Sequence, residues 1–449
     1  MIGPSNARIW LLMLVGCLTL WPYSTSAQKT EWEKYQRAGV QAYKQGSYAE
    51  AEQQLTAALE EAERLGLSDQ HLTIPLATLA LVYSAQNQPD KAEPLYQRIL
   101  TIREKTLGPD HLEVAACLDN LAEVYQAQGQ YSQAEPFYQR ALTIREKMLQ
   151  PTHPGMASSL DNLAGVYEAQ GQYSTAESLY QRALTLREQA LKPNHPGIAI
   201  SLTNLAELYQ AQGRYADAEA LHKRALAIRE STFGPQHPHV ATSLNNLALV
   251  CVGQGQYDQA EPLYQRALAI AEQVLGPDHL EVAAMLNSLA ELYRSQGQYS
   301  QAEALHQRAL SIREHALEPD HPDVEASRQH LAALYGAQGQ YAKAESLYQH
   351  ALTAREKMLG PDHPDIAMSL NSLADLYREQ GRYDQAEPLY IRAVATCEKA
   401  LGPDHAGVAV VLEHYATLLW QTKRETEAMT MQTRAKAIRR RDVQQGPTR

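Results

Sequence analysis

Apolar residues recur through most of the chain at alternating spacings of three and four residues, the period of a helix that buries one face. Between Val114 and Gln128 this spacing predicts a helix whose buried stripe consists of Leu118, Leu121, Ala122 and Tyr125. A second stripe follows a short polar break and consists of Ala134, Tyr138, Ala141 and Leu142. The pattern therefore predicts an all-α chain in which helices alternate with short turns.

Glycine and histidine mark the ends of these helices at a fixed period. Gly129 separates the two stripes, where a helix commonly ends in a residue with positive φ. The same glycine recurs every 42 residues, at Gly171, Gly213, Gly255, Gly297, Gly339 and Gly381. A histidine in a G-P-D-H-P-like segment keeps that period, at His111, His153, His195, His237, His279, His321, His363 and His405. Two markers per period predict two helices per unit and an array of stacked units.

The two helices of a unit are expected to begin differently. Before the first helix, Asp or His is expected to act as N-cap, with Pro just inside, as in the Asp-His-Pro segment at 362–364. The second helix is expected to open at Ser132, with Glu135 completing a capping box. Pro136 then falls in the opening turn, where a missing amide costs little.

The amino-terminal segment differs from the repeats. Residues 1–27 contain one charge, Arg8, an apolar run from Ile9 to Trp21, and small residues up to Ala27. This pattern predicts a bacterial export signal cleaved after Ala27, and hence a periplasmic or extracellular protein. Two alternatives stay open: attachment of the amino terminus to the membrane through the apolar run, which is short for a bilayer span, and a lipid anchor on Cys17, because residues 14–17 resemble a lipobox.

The remaining sequence is predicted to form ten helical units. A shorter, more generic unit occupies residues 28–71, nine 42-residue units occupy 72–441, and 442–449 form a tail. In the last unit Lys423 replaces the turn glycine and Gln432 replaces the tyrosine of the second helix. Such polar substitutions are typical of a terminal unit, because its outer face meets water.

Composition and charge narrow the classes of function. The formal net charge of -11 argues against nucleic acid, since binding phosphates needs clustered Lys and Arg. The 25 Tyr against 2 Phe are explained by packing positions that recur in every unit. One histidine per unit leaves no metal site, because neighbouring units lie roughly 10 Å apart at helix-packing distance. No catalytic motif is visible, so we expect neither an enzyme nor a cofactor.

The repeated pattern L-x-N-L-A-x-x-Y-x-x-Q-G-x-Y-x-x-A-E-x-L-Y-x-R-A-L-x-I-R-E-x-x-L-G-P-D-H-P resembles the tetratricopeptide repeat in its 42-residue form, found in kinesin light chain and in many bacterial proteins. The resemblance covers residues 72–441 and is strongest at 348–392. It implies a right-handed superhelical solenoid of about ten antiparallel helix pairs, whose first helices line a concave groove that binds a peptide or protein partner. The coiled coil by which kinesin light chains bind heavy chains has no counterpart, so the motor function is not carried over.

The resemblance also implies a set of groove residues. The position that resembles a peptide-clamping asparagine is occupied by Asn120, Asn162, Asn204 and Asn246, and then by Ser288, His330, Ser372 and His414. An amide both donates and accepts, so it can hold a peptide main chain whatever its sequence. An asparagine that is only solvated or locally bonded is the alternative.

Neighbouring groove positions suggest that the groove is polarised. The first half carries Asp119, Glu123, Asp161, Glu168 and Glu207, whereas the second half carries Arg294 and Arg378. This charge pattern favours a ligand with a basic segment near units three to five. The sequence therefore predicts a non-catalytic scaffold that binds an unidentified peptide or protein in the groove. The alternative is a structural component of an envelope complex that acts through its convex face.

Overall fold

A computed structural model describes residues 31–86, 88–319 and 321–444, and within these ranges every regular element is a helix. The predicted signal segment and the end of the tail lie outside the described residues. The first ten helices are α1 (Glu31–Lys44), α2 (Tyr48–Arg64), α3 (Asp69–Ala85), α4 (Pro89–Leu107), α5 (Leu112–Ala127), α6 (Tyr131–Met148), α7 (Gly155–Ala169), α8 (Tyr173–Ala190), α9 (Pro196–Ala211) and α10 (Tyr215–Phe233). The others are α11 (Pro238–Gly253), α12 (Tyr257–Leu275), α13 (Leu280–Ser295), α14 (Tyr299–Ala316), α15 (Pro322–Ala337), α16 (Tyr341–Leu359), α17 (Pro364–Glu379), α18 (Tyr383–Leu401), α19 (Ala406–Gln421) and α20 (Glu425–Gln444). The all-α fold predicted from the repeat is confirmed.

The helix ends follow the two predicted markers. Gly129 has φ 71° and ends α5 in the left-handed region that glycine adopts without strain. Before α9, the Nδ1 atom of His195 accepts a hydrogen bond from the backbone N–H of Gly197, as an N-cap does. At the last turn Lys423 takes the same left-handed conformation, with φ 59°. The turn geometry is therefore kept where the glycine is lost.

Two details of the second helices differ from the prediction. Helix α6 begins at Tyr131 after the N-cap Gln130, so Ser132 lies inside the helix and no capping box forms. Pro136 is therefore the sixth residue of α6 and not part of the opening turn, and it removes an interior hydrogen bond. The glutamate expected in the box serves another purpose. In α8, Glu177 Oε1 accepts hydrogen bonds from Gln181 of the same helix and from Tyr209 of the next first helix.

Small residues let the two helices of a unit approach each other closely. Ala122 of α5 and Ala134 of α6 are fully buried, as is nearly all of Tyr138. Within the arrays α1–α6 and α7–α20, a first helix packs against the second helix of its own unit and against the second helix of any preceding unit of the same array. This arrangement confirms that the units are stacked and that the stripes are buried by neighbours.

Tyrosine hydroxyls connect consecutive units. The hydroxyl of Tyr209 in α9 donates to Glu177 Oε1 in α8 at 3.0 Å. The same bond, from a first-helix tyrosine to a glutamate of the preceding second helix, is made by Tyr83–Glu52, Tyr125–Glu93, Tyr293–Glu261, Tyr335–Glu303, Tyr377–Glu345 and Tyr415–Glu387. The excess of tyrosine over phenylalanine thus has a polar as well as a packing cause.

The chain divides into two compact bodies, Met1–Gln150 and Pro151–Arg449. The first contains α1 to α6 and the second contains α7 to α20. Repeat periodicity gave no indication of this division, since the 42-residue register continues through it.

Candidate binding surface on the first helices

Four positions of each first helix form one face that is left open by the packing of the units. In α9 they are Ile200, Asn204, Glu207 and Ala211, which lie four, three and four residues apart and are exposed or partly exposed. The corresponding residues of α11 are Thr242, Asn246, Leu249 and Gly253, and those of α7 are Ser158, Asn162, Gly165 and Ala169, of which Gly165 is buried. We call these positions the first-helix face, in α5 of the first body and in α7, α9, α11, α13, α15, α17 and α19 of the second.

The four predicted asparagines lie on the first-helix face and are partly exposed. Asn246 Nδ2 donates to Glu207 Oε1 at 3.3 Å, and Asn204 interacts with the carboxylate of Asp161. In both cases the amide contacts an acid of the preceding unit. An amide has two N–H donors and a carbonyl, so one local bond leaves donor and acceptor capacity for a ligand.

Two of the acids predicted to line the groove do not lie on the first-helix face. Asp119 and Asp161 lie beside the asparagines in sequence but point into the unit, with 7% of each exposed. Arg145 pairs with Asp119 and Arg187 pairs with Asp161. Burial raises the pKa of both carboxyls and the paired arginine opposes this. These aspartates therefore hold the unit together and present little surface to a ligand.

The other predicted acids of the first half reach the surface. Burial raises the pKa of Glu168 to about 7, the hydrogen bond that Tyr180 donates to it at 3.0 Å opposes the rise, and nearby Glu207 adds to it. Burial also raises the pKa of Glu207, which is exposed and has no ion-pair partner within the described ranges. In the first body the surrounding protein, and then Asp119, raise the pKa of Glu123 to about 7, although its side chain reaches solvent. A cation bound beside these groups would offset the cost of ionising them.

In the second half the predicted arginine is paired with an acid one turn away. Arg294 donates to Glu291 Oε2 at 2.8 Å. The other oxygen of that carboxylate lies 3.2 Å from His306 Nε2 and 3.3 Å from His330 Nδ1. Burial opposes ionisation of Glu291, but the bonds from His306, His330 and Arg294 lower its pKa well below the usual range. The positive charge of Arg294 is therefore largely neutralised by Glu291.

A second network of the same form occurs two units later. Asp375 Oδ1 accepts from Tyr390 at 2.6 Å and from Arg378 at 3.2 Å, and its Oδ2 lies 2.7 Å from His414 Nδ1. The bond to Asp375 raises the pKa of His414 against the effect of burial. His330 and His414 thus occupy the asparagine position while contacting an acid of the preceding unit, as Asn246 does.

Sequence reasoning missed the acids at the centre of these networks. The position four residues after the buried Asp119 is acidic in every second unit, at Glu123, Glu207, Glu291 and Asp375, and carries Gly165, Leu249, Ala333 and Thr417 in between. The charge at this position of the first-helix face therefore repeats every 84 residues, although the fold repeats every 42. A self-comparison at twice the fold period would have found this signal.

Neither a metal centre nor a membrane span is present in the part of the chain that the structure describes. No three His, Cys, Asp or Glu side chains there are arranged to hold a metal ion. None of the described helices combines the length and apolar character needed to cross a bilayer. Cys117, Cys251 and Cys397 are buried free thiols.

The chain belongs to the tetratricopeptide repeat family. The family model described as "Tetratricopeptide repeat" matches it over residues 34–105, 72–147, 155–231, 198–273, 239–315, 281–357, 323–398 and 365–441. The first-helix face accordingly belongs to a class of helical repeat that serves protein interaction. No curated protein matches the chain.

Three solved structures that are similar to parts of the chain differ in identity and coverage. A putative kinesin light chain of Podosopora anserina with nearly identical repeats is 29% identical over 44% of this chain and 93% of its own, with a TM-score of 0.40. BtubC (BKLC) of P. vanneervenii is 28% identical over 52% of this chain and 91% of its own, with a TM-score of 0.41. A Rap protein complexed with Competence and Sporulation Factor covers 84% of this chain and 100% of its own at 15% identity and a TM-score of 0.55, which is a likeness of fold.

Proposed function

We propose that the protein is a non-catalytic scaffold whose first-helix face, in each body, binds an extended segment of a partner protein. The observation that carries the proposal is the series of partly exposed asparagines at one helical position, Asn162, Asn204 and Asn246 in the second body and Asn120 in the first. Their amides can bond the N–H and C=O groups of a peptide main chain. The proposal places this activity outside the cytoplasm, as the amino-terminal segment predicts.

The acidic residues on and beside the first-helix face favour a partner with a basic segment. In the second body Glu207 on the face and Glu168 beside it are near each other and lack an ion-pair partner among the described residues. Burial raises the pKa of both carboxyls, that of Glu168 to about 7. A Lys or Arg side chain of a ligand would supply the missing positive charge. We therefore assign the basic segment of the ligand to α7 and α9.

The second half of the face has a different role in this proposal. Because Glu291 and Asp375 each neutralise an arginine of their own helix, that half offers little net charge. His330 and His414 still present about 43% of their side chains to solvent. We assign this half to polar contacts with the ligand main chain and not to recognition of an acidic segment.

Site-specific photo-crosslinking tests where the partner binds. A benzophenone amino acid replaces Ala211 on the first-helix face or, as a matched control, the exposed Ala227 on second helix α10. Full-length protein carrying either residue is irradiated in an envelope extract. The proposal predicts a specific adduct from position 211 and none from 227. An adduct from 227 alone would overturn it and favour assembly through the outer helices.

A further inference from the structure

Helix packing in the second body runs between neighbouring helices, as expected for a repeat array. One side chain departs from this rule. His405, the N-cap of α19, lies against the turn that follows α7, six units earlier. Such a long-range contact is not required by the repeat and calls for a separate explanation.

The contact is specific to one of the turn glycines. A Cβ atom built on Gly171 would lie 3.4 Å from Cδ2 and 3.9 Å from Nε2 of His405. The same construction meets open space at Gly213, Gly255, Gly297, Gly339 and Gly381. All six glycines have φ between 73° and 75°, so their backbones are alike and only their surroundings differ.

The chemistry of the contact is set by helix capping. The backbone N–H of Gly407 donates to His405 Nδ1 at 2.9 Å, so the proton of the neutral ring resides on Nε2. The ring also interacts with the backbone carbonyl of Ala169, one of the last carbonyls of α7, which have no intrahelical donor. Burial lowers the pKa of His405 and the Ala169 carbonyl opposes this, which is consistent with a neutral donor.

We propose that the contact of His405 with the Gly171 turn is a latch that holds the last unit of the second body against its first unit. The latch fixes one geometry of α7, the helix that carries Asn162 and Glu168, and its opening lets the two ends of the body move apart. The proposal does not depend on the identity of any ligand. A partner that binds α7 acts on the helix that the latch holds.

Distance measurement by pulsed electron paramagnetic resonance tests the latch. Nitroxide labels are placed on full-length protein through unnatural residues at the exposed Thr175 and Pro403, so the native cysteines stay unchanged. Gly171→Asn adds a side chain where His405 sits, and asparagine tolerates positive φ. Gly213→Asn places the same residue on an equivalent turn that faces open space.

The latch predicts a longer mean distance between the labels in Gly171→Asn and the parent distance in Gly213→Asn. His405→Asn should also lengthen it, because asparagine can still cap α19 but is too short to reach Ala169. His279→Asn, at an equivalent N-cap, should not. Equal distances in Gly171→Asn and Gly213→Asn, or a parent distance in His405→Asn, would overturn the proposal. If Gly171→Asn does not fold, the comparison of His405→Asn with His279→Asn tests the proposal.

Discussion

Arg187 of α8 pairs with Asp161 of α7 and also bonds Ser201 of α9, so one buried guanidinium connects two units of the second body. Arg187 is 6% exposed and Ser201 is fully buried. Arg229, Arg313 and Arg355 make the corresponding bond to a serine of the next unit, with Ser243, Ser327 and Ser369. A charged group therefore recurs inside an otherwise apolar interface.

The Asp161–Arg187 pair is expected to matter mainly when it is broken. Arg187→Met leaves a buried carboxylate without its partner and should destabilise the second body by about 3–5 kcal/mol, whereas Asp161→Leu combined with Arg187→Met should recover most of that loss. Denaturant and thermal melts followed by circular dichroism measure both. A double variant no more stable than Arg187→Met alone would show that the pair is not the cause.

Relief of the strained last turn is expected to stabilise the carboxy-terminal unit. Lys423 has φ 59°, a conformation that costs a side-chain-bearing residue about 1 kcal/mol more than glycine. Lys423→Gly should therefore slow hydrogen exchange in α19 and α20. Lys423→Ala keeps the strain and serves as the control. Equal exchange in the two variants would contradict the interpretation.

Loss of one tyrosine hydroxyl bond between units is expected to lower stability by a small amount. Tyr209→Phe removes the bond to Glu177 and should cost about 1 kcal/mol. Tyr299→Phe is the control, because that side chain is 37% exposed at the start of α14. The difference in melting between the two variants reports the bond. A cost for Tyr299→Phe equal to that for Tyr209→Phe would assign the loss to something other than the Glu177 contact.

The raised pKa of Glu168 predicts a dependence of stability on pH. Its value of about 7 in the folded protein exceeds that of an unfolded glutamate, so the folded state binds the proton more tightly. The contribution of Glu168 to stability is present below about pH 4.5 and is lost as pH rises through 7. Glu168→Gln should therefore melt at a higher temperature than the parent at pH 8, and the gap should narrow at pH 5. A gap that does not change with pH would contradict the raised pKa.

The sequence predicted the fold well because turn glycines, N-cap histidines and buried alanines are local signals that recur in register. It predicted the candidate surface less well. Asp119 and Asp161 were expected in the groove, but their partners Arg145 and Arg187 lie 26 residues away on the facing helix, and nothing local shows that pairing. Glu291 and Asp375 occupy the same position as the predicted Glu123 and Glu207, but only a comparison over two units places the four acids in one series. The contact of His405 depends on how fourteen helices stack, which no local pattern encodes.

The central claim is that the asparagine series binds a peptide main chain beside an acidic region. Selection from a random displayed peptide library tests it most directly, using the parent, a variant with Asn120, Asn162, Asn204 and Asn246 changed to Ala, and a control with the exposed second-helix residues Gln139, Gln181, Gln265 and Gln307 changed to Ala. We predict that the parent and the glutamine control enrich peptides rich in Lys and Arg. These peptides should bind more tightly at pH 8 than at pH 6. The asparagine variant should lose at least about tenfold in affinity for them, because several hydrogen bonds are lost. Equal affinity of the selected peptides for parent and asparagine variant would contradict the claim.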